Sequence, residues 1–324
     1  MALPDFFLIS APKAGTTALH AALSDHPQLF MSPVKEPKFF LCDGRPPPEA
    51  GGPGDAHSYR EWIWDRAQYE RLFDAAPPGT LRGESTPLYL ADASALRRIR
   101  AAVPEARLIV ILRDPVHRAY SNWAHLWADG LEPIGNFLEA CAEETRRQAD
   151  SWAPFWRYLE TGRYGSQLQD LFGLFPREQV HLIRYLSLVD EPQATLDQVC
   201  RFLGVEEGVI TDIPARNVGG YVRPDLTTRA LQSAFRLGAS LGSHFPPQLW
   251  RKASIPLQWL IQRSPQHRPE LDQNERAQLI DYFAEDIAAV EHLTGWDLGA
   301  WRSYREGGTY SVRKSWAPSR RLVS

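Results

Sequence analysis

The sequence predicts an α/β fold built on parallel strands, and three observations carry that expectation. Phe6-Phe7-Leu8-Ile9 is an unbroken apolar run with no polar alternation, as in a strand covered on both faces. It breaks into a loop of small residues, Ser10-Ala11-Pro12-Lys13-Ala14-Gly15, and then into residues 17–23, where Ala18, Leu19, Ala22 and Leu23 share one helical face. A second unit repeats the order: residues 106–112 form a run rich in β-branched side chains that ends at Arg113-Asp114-Pro115. There Asp114 suits an N-cap and Pro115 the first position of a helix over residues 116–128.

Composition bounds the function. With 44% apolar and 23% charged residues over 324 positions, the chain is globular and long enough for one large α/β domain or two small ones. No internal repeat, heptad pattern or sharp change of composition divides it. A net charge of −3 argues against a general nucleic-acid binder, so any anion site is local. Cys42, Cys141 and Cys200 are widely spaced, with no C-x-x-C pair, which suits neither a disulfide framework nor a cysteine zinc site and fits a reducing, cytoplasmic setting. No stretch approaches the roughly 18 to 20 apolar residues of a membrane span, and the N-terminus lacks a signal-peptide pattern, so a soluble, unexported protein is expected.

The remaining elements follow in order. Pro33-Val34-Lys35-Glu36-Pro37-Lys38-Phe39-Phe40 reads as a loop in which lysines keep Glu36 ionised unless burial competes. Residues 43–58, rich in proline and glycine, read as a loop with no regular element, either a lid or an excursion. Residues 59–73 read as a helix holding Trp62 and Trp64, residues 79–87 as a short strand running into a turn, and residues 93–103 as a helix closed by Pro104. Residues 137–175 are mostly helical, 180–185 a strand, and 193–203 a helix stopped by Gly204. Residues 216–223 form a loop and 226–241 an amphipathic helix. Asp272-x-x-Glu275 opens a last helix whose stripe is Leu279, Ile280, Phe283, Ile287, Val290 and Leu293. From Ser303 onward the chain reads as a basic, loosely ordered tail.

Two corners of this arrangement suit anions. At the first, the N–H groups of the loop and the positive end of the helix dipole converge on one point, Lys13 adds a charge, and Thr16 and Thr17 add hydroxyl donors. The triphosphatase pattern G-x-x-x-x-G-K-[ST] is absent, and an ordinary strand-to-helix turn with an exposed lysine is the other reading. At the second, Arg113 ends a strand and Ser121 lies two turns into the next helix; an arginine that merely caps its strand is the alternative. Ligands of open α/β sheets bind outside the carboxyl ends of strands, so the two corners together suggest one ligand with two anionic ends.

Pro12-Lys13-Ala14-Gly15-Thr16-Thr17 is followed by Lys35-Glu36-Pro37-Lys38-Phe39-Phe40, then Gly83-Glu84-Ser85-Thr86-Pro87, then Arg113-Asp114-Pro115-x-x-Arg118-x-x-Ser121. In that order these motifs resemble the sulfotransferases that use 3′-phosphoadenosine 5′-phosphosulfate (PAPS), most closely bacterial soluble members of the carbohydrate, heparan-sulfate-like branch. The resemblance runs through Arg163-Tyr164-Gly165-Ser166-Gln167 and Phe202-Leu203-Gly204-Val205 to near Trp301. It implies a single domain over residues 1–302, followed by the tail 303–324, with a central parallel sheet flanked by helices and a P-loop-like strand-loop-helix.

It further implies that Lys13, Ala14, Gly15, Thr16 and Thr17 hold the 5′-phosphosulfate, that Arg113 and Ser121 hold the 3′-phosphate, and that Glu36 is the general base. A later basic loop that covers the cofactor in the family corresponds to Arg263 and Arg268, without the family's glycine. Lys38 would orient Glu36 or contact the sulfonate, unless it is a solvated lysine. Glu84 is either a second base or an organiser of the site. Ser85 stands where many carbohydrate enzymes have lysine, which departs from a glycosaminoglycan acceptor. Trp123 and Trp127, together with Trp152 and Trp156, either line an acceptor cleft or fill the core, and His117 and His125 flank the second corner.

The implied reaction moves a sulfuryl group to a hydroxyl or amine of a carbohydrate, glycolipid or other small acceptor, without a metal, a nucleic-acid partner or a transmembrane segment. A nucleotide-dependent phosphotransferase and a catalytically silent PAPS-binding relative are the alternatives.

Overall fold

A computed structural model describes residues 3–42, 44–48, 51–214 and 271–303. Its centre is a five-stranded parallel sheet in the order β2-β3-β1-β4-β5, formed by β1 (Phe6–Ser10), β2 (Leu29–Met31), β3 (Leu81–Ser85), β4 (Arg107–Leu112) and β5 (Val180–Arg184). β1 pairs with β3 through Phe6 opposite Gly83 and with β4 through Phe6 opposite Arg107. Phe6 to Ile9 and Leu108 to Leu112 are wholly buried, which explains their lack of polar alternation. Gly83 is required between them: a Cβ there would lie 2.3 Å from the ring of Phe6 and 2.6 Å from the sulfur of Met31.

Helices cover both faces and link the parallel strands: α1 (Thr16–Ser24), α2 (Asp55–Tyr59), α3 (Arg66–Arg71), α4 (Ala93–Ala102), α5 (Pro115–Ala128), α6 (Phe137–Ala142), α7 (Glu144–Ala149), α8 (Tyr164–Leu174), α9 (Tyr185–Asp190), α10 (Pro192–Leu203) and α11 (Gln273–Thr294). Asp114 caps α5 by accepting from the N–H groups of Val116 and His117, as its place before Pro115 predicts. Asp272 does the same for α11 through Asn274 and Glu275. The α11 stripe of Leu279, Ile280, Phe283, Ile287 and Val290 is buried, and the helix packs on α8. None of the described helices is long and apolar enough to cross a membrane.

Two expectations need correction, and one strand is new. Residues 59–73 are not one helix: α2 ends at Tyr59 and α3 starts at Arg66. Between them Trp62 and Ile63 are buried, and the Ile63 N–H donates to the Pro37 carbonyl at 2.9 Å, so the segment is pinned to the loop of Glu36 rather than coiled. Residues 43–58 are not wholly irregular, because they hold the start of α2. β2 was not foreseen; three residues show no period of their own and are defined by their pairing with β3. Residues 137–175 are mostly helical, as expected: α6 and α7 are separated only by Glu143, and two 3-10 turns, Pro154–Trp156 and Glu160–Gly162, lie between α7 and α8. The predicted loop 216–223, the predicted helix 226–241, Arg263, Arg268 and nearly all of the basic tail lie outside the described residues.

Candidate active site

The carboxyl ends of β1, β3, β4 and β5 open onto one cleft of about 420 Å³. Its floor is the loop after β1. Lys13 has φ 69° and Gly15 φ 94°, so the backbone alternates hand as it enters α1, a geometry that turns successive N–H groups toward one point. A side chain at Gly15 would also press on Leu188 at 3.0 Å and Tyr185 at 3.3 Å. Lys13, Gly15, Thr16 and Thr17 line the cleft, whereas Ala14 is fully buried and offers backbone alone.

Arg113 enters from the end of β4. Its Nη1 donates to the Lys13 carbonyl at 2.9 Å, and its guanidinium lies 4.6 Å from the ring centre of Tyr185, the first residue of α9. This tie fixes the two cationic corners relative to each other. Ser121 lines the same cleft from α5.

Glu36 and Lys38 form another wall. Both have left-handed backbones, with φ 61° and 60°; with Lys13, they are three of the four non-glycine residues at positive φ among the described residues, and all three line the cleft. Such conformations persist only where the surroundings over-determine them. Here the Glu36 N–H donates to the Ser85 carbonyl at 2.8 Å, the Lys38 N–H to Thr86 Oγ1 at 3.3 Å, and the Phe40 N–H to the Tyr89 hydroxyl at 3.1 Å. Behind these groups lies Glu84, wholly buried, which accepts from Tyr69 at 2.6 Å, Thr86 at 2.6 Å and Tyr89 at 3.2 Å. Burial pushes the Glu84 carboxyl up to about 7, against the pull of those three hydroxyls.

The Glu36 carboxylate is 2.5 Å from Lys35 Nζ and 3.9 Å from Lys38 Nζ. Burial opposes its ionisation, but Lys35, Lys38 and Lys13 together outweigh it and hold the carboxyl below its ordinary 4.5. Lys38 also lies 5.3 Å from the ring centre of Trp62.

The structure takes several expected residues off the cleft. Glu84 and Ser85 expose none of their surface, and Ser85 Oγ is 2.9 Å from His20 Nδ1, so neither can touch a substrate in this arrangement. Trp123 and Trp127 stack on each other with ring centres 6.2 Å apart and are 3% and 1% exposed. The cause is helical phase. Ser121, His125 and Asp129 follow one another at intervals of four along α5 and its C-terminal end, and all line the cleft, which puts Trp123 and Trp127 on the opposite, core side. That interval is legible in the sequence and would have identified Asp129 beside His125. His117 lies with its Nδ1 3.5 Å from Asp114. Of the four tryptophans named from the sequence, Trp156 lines the cleft, joined by Trp62 and Phe155, with Tyr185 beside Arg113.

A strand-loop-helix of alternating hand, a cationic corner tied to it through Arg113, and a carboxylate held below its ordinary value by the surrounding lysines meet in this one cleft. The chain belongs to the Sulfotransferase family, whose sequence pattern matches residues 4–208. A crystal structure of a sulfotransferase from Alicyclobacillus acidocaldarius is similar to it at 29% identity and a TM-score of 0.71, covering 94% of this chain and 100% of that one. Heparan sulfate glucosamine 3-O-sulfotransferase 3B1 of Mus musculus is 29% identical over 65% of this chain and 48% of its own length. Bifunctional heparan sulfate N-deacetylase/N-sulfotransferase 3 of Homo sapiens is 29% identical over 63% of this chain and 22% of its own. The chain thus spans about half the length of the first relative and about a fifth of the second.

Proposed function

We propose that this enzyme transfers a sulfuryl group from PAPS to a hydroxyl or amine of a carbohydrate, glycolipid or other small acceptor, with Glu36 as the general base. The observation that carries the reading is that Lys13 and Glu36, each on a left-handed backbone, face one cleft closely enough for the lysine charge to help keep the carboxylate ionised. The residues present fit the donor: the loop and the N-terminus of α1 suit a 5′-phosphosulfate, and the Arg113 and Ser121 corner suits a second phosphate. PAPS, when bound, supplies the sulfuryl group.

The residues of the chain then have distinct tasks. The loop N–H groups, Thr16 and Thr17 orient the phosphate, and Lys13 balances the charge that grows on the leaving oxygen. Glu36 accepts the proton of the acceptor hydroxyl, for which it must come within about 2.6 to 3.2 Å. Lys35 and Lys38 fix its carboxylate, and Lys38 is placed to exchange that contact for the donor's sulfonate. The buried Glu84 cluster keeps the backbone of Glu36 and Lys38 in place. The scheme requires no metal. A reducing, cytoplasmic setting belongs to the same reading and is supported by three buried, unpaired cysteines. We take residues 1–302 as the catalytic domain and the remainder as an appended basic tail.

Calorimetric titration with 3′-phosphoadenosine 5′-phosphate (PAP), without added metal, tests the donor site. The wild type is expected to bind it, and Lys13→Ala and Arg113→Ala to weaken binding by about tenfold to a hundredfold each, the loss expected of one charge-assisted contact. Binding of ATP with magnesium in place of PAP would move the chain to the phosphotransferases. PAP binding with no turnover of PAPS on any acceptor would make it a silent relative.

A further inference from the structure

The cations of the cleft are already committed. Among the described residues that line it they are Lys13, Lys35, Lys38 and Arg113. The first and last belong to the donor corners, and the middle two pair with Glu36. Among the described residues, the acceptor wall therefore carries no positive charge left over for an anionic acceptor.

Its other carboxylates are Asp55 and Asp129. Asp55 is spoken for by the N–H groups of Gly52 and Ala153 at 3.0 and 2.8 Å and by Trp156 Nε1 at 2.8 Å. Asp129 differs. The partner of its side chain is His125, at 3.6 Å, beyond hydrogen-bond length, and the carboxylate keeps 30% of its side-chain surface open beside Phe155 and Leu131. Burial lowers the basicity of His125 against the pull of Asp129, and burial also pushes the Asp129 carboxyl upward against the pull of His125 and Lys13. A partly desolvated carboxylate with so few donors calls for one from outside.

We propose that the acceptor is a small, ring-bearing hydroxyl compound without an anionic group, and that Asp129 binds a second polar group on it, an ammonium or a hydroxyl donor, while Trp62 and Phe155 flank the ring. This rests on the sulfotransferase reading above. It separates the chain from its curated relatives, whose names specify heparan sulfate, a polyanion. Bound PAPS strengthens the selection, since its own negative charges repel a second anion in a cleft partly closed to water.

The test is titration of the PAP complex with three phenols that share a body and differ in tail charge: tyramine, para-ethylphenol and para-hydroxyphenylpropionate. An N-sulfated heparosan oligosaccharide is the polyanionic control, and sulfuryl transfer from PAPS to each is measured in parallel. Tyramine is expected to bind about tenfold tighter than para-ethylphenol, the worth of one charge-assisted hydrogen bond, and the propionate more weakly than either. Asp129→Asn should bring the ratio of tyramine to para-ethylphenol to about one, and Asp129→Lys should invert the order of cation and anion. An oligosaccharide that binds more tightly than tyramine, a different order among the phenols, no binding of any, or a preference unchanged in Asp129→Asn would overturn the proposal. Failure of the wild type to bind PAP at all would instead remove the sulfotransferase reading on which it rests.

Discussion

Glu36 presents a conflict between role and basicity that can be measured. A base held below the ordinary carboxylate value is ionised throughout the neutral range but draws a proton weakly. The acid limb of kcat/KM should therefore lie below pH 4.5, with activity flat above it. Lys35→Ala removes the nearest charge that favours the ionised form, so its limb should move to higher pH, while Glu36→Gln should lower kcat by about a hundredfold to ten-thousandfold at every pH. A limb that stays put in Lys35→Ala would mean the 2.5 Å contact does not set the basicity. That Lys13 and Arg113 share a cleft was legible in the sequence because each stands at a strand end, whereas Glu36, which by local signals alone reads as part of a solvated loop, was singled out only through the family resemblance. Asp129 was missed although it follows Ser121 and His125 at intervals of four, because the two tryptophans drew attention to the other face of α5.

At the scale of the element, the segment from Glu36 to Phe40 keeps an unfavourable backbone because β3 and the turn after it supply its hydrogen bonds, organised around Glu84. Folding raises the Glu84 carboxyl from 4.5 to about 7, so the folded chain holds that proton more tightly than the unfolded one. The stabilisation from this group is therefore complete below pH 4.5 and declines as pH rises through about 7. Thermal unfolding of the wild type should occur at lower temperature at about pH 8 than at about pH 5, and Glu84→Gln, which cannot titrate, should reduce that difference to a fraction of its size. An equal fall in both proteins would exclude Glu84 as the cause. The long elements, β1, β4, α5, α10 and α11, could be read because each carries its own hydrophobic period or cap. β2 and the split between α2 and α3 could not, because β2 is fixed by pairing with β3 and the split by the bond from Ile63 to Pro37.

Across the whole molecule, α11 is joined to the site through one side chain. Arg276 reaches Asp114, the cap of α5, at 2.7 Å, and that carboxylate is 1% exposed. Arg276→Met would leave Asp114 buried without its countercharge, and the expected loss is about 2 to 4 kcal/mol in denaturant unfolding. Because Asp114 follows Arg113, PAP affinity should fall as well, and a variant that lost stability alone would show that α11 does not steady the second anion corner.

The strand order has one more consequence, and it lies in time. β1 is made before both its neighbours: β3 and β4 follow about 75 and 100 positions later, since Phe6 pairs with Gly83 and Arg107. Until then a nascent chain carries the apolar run Phe6 to Ile9 with nothing to cover it, and the carbonyl of Lys13 has no Arg113 to hold it. Such long-range pairing is slow, and exposed strands of this kind attract chaperones or one another. The loop that holds Lys13 is thus made well before the strand that ends at Arg113, and it reaches its final contacts only once β4 has been added.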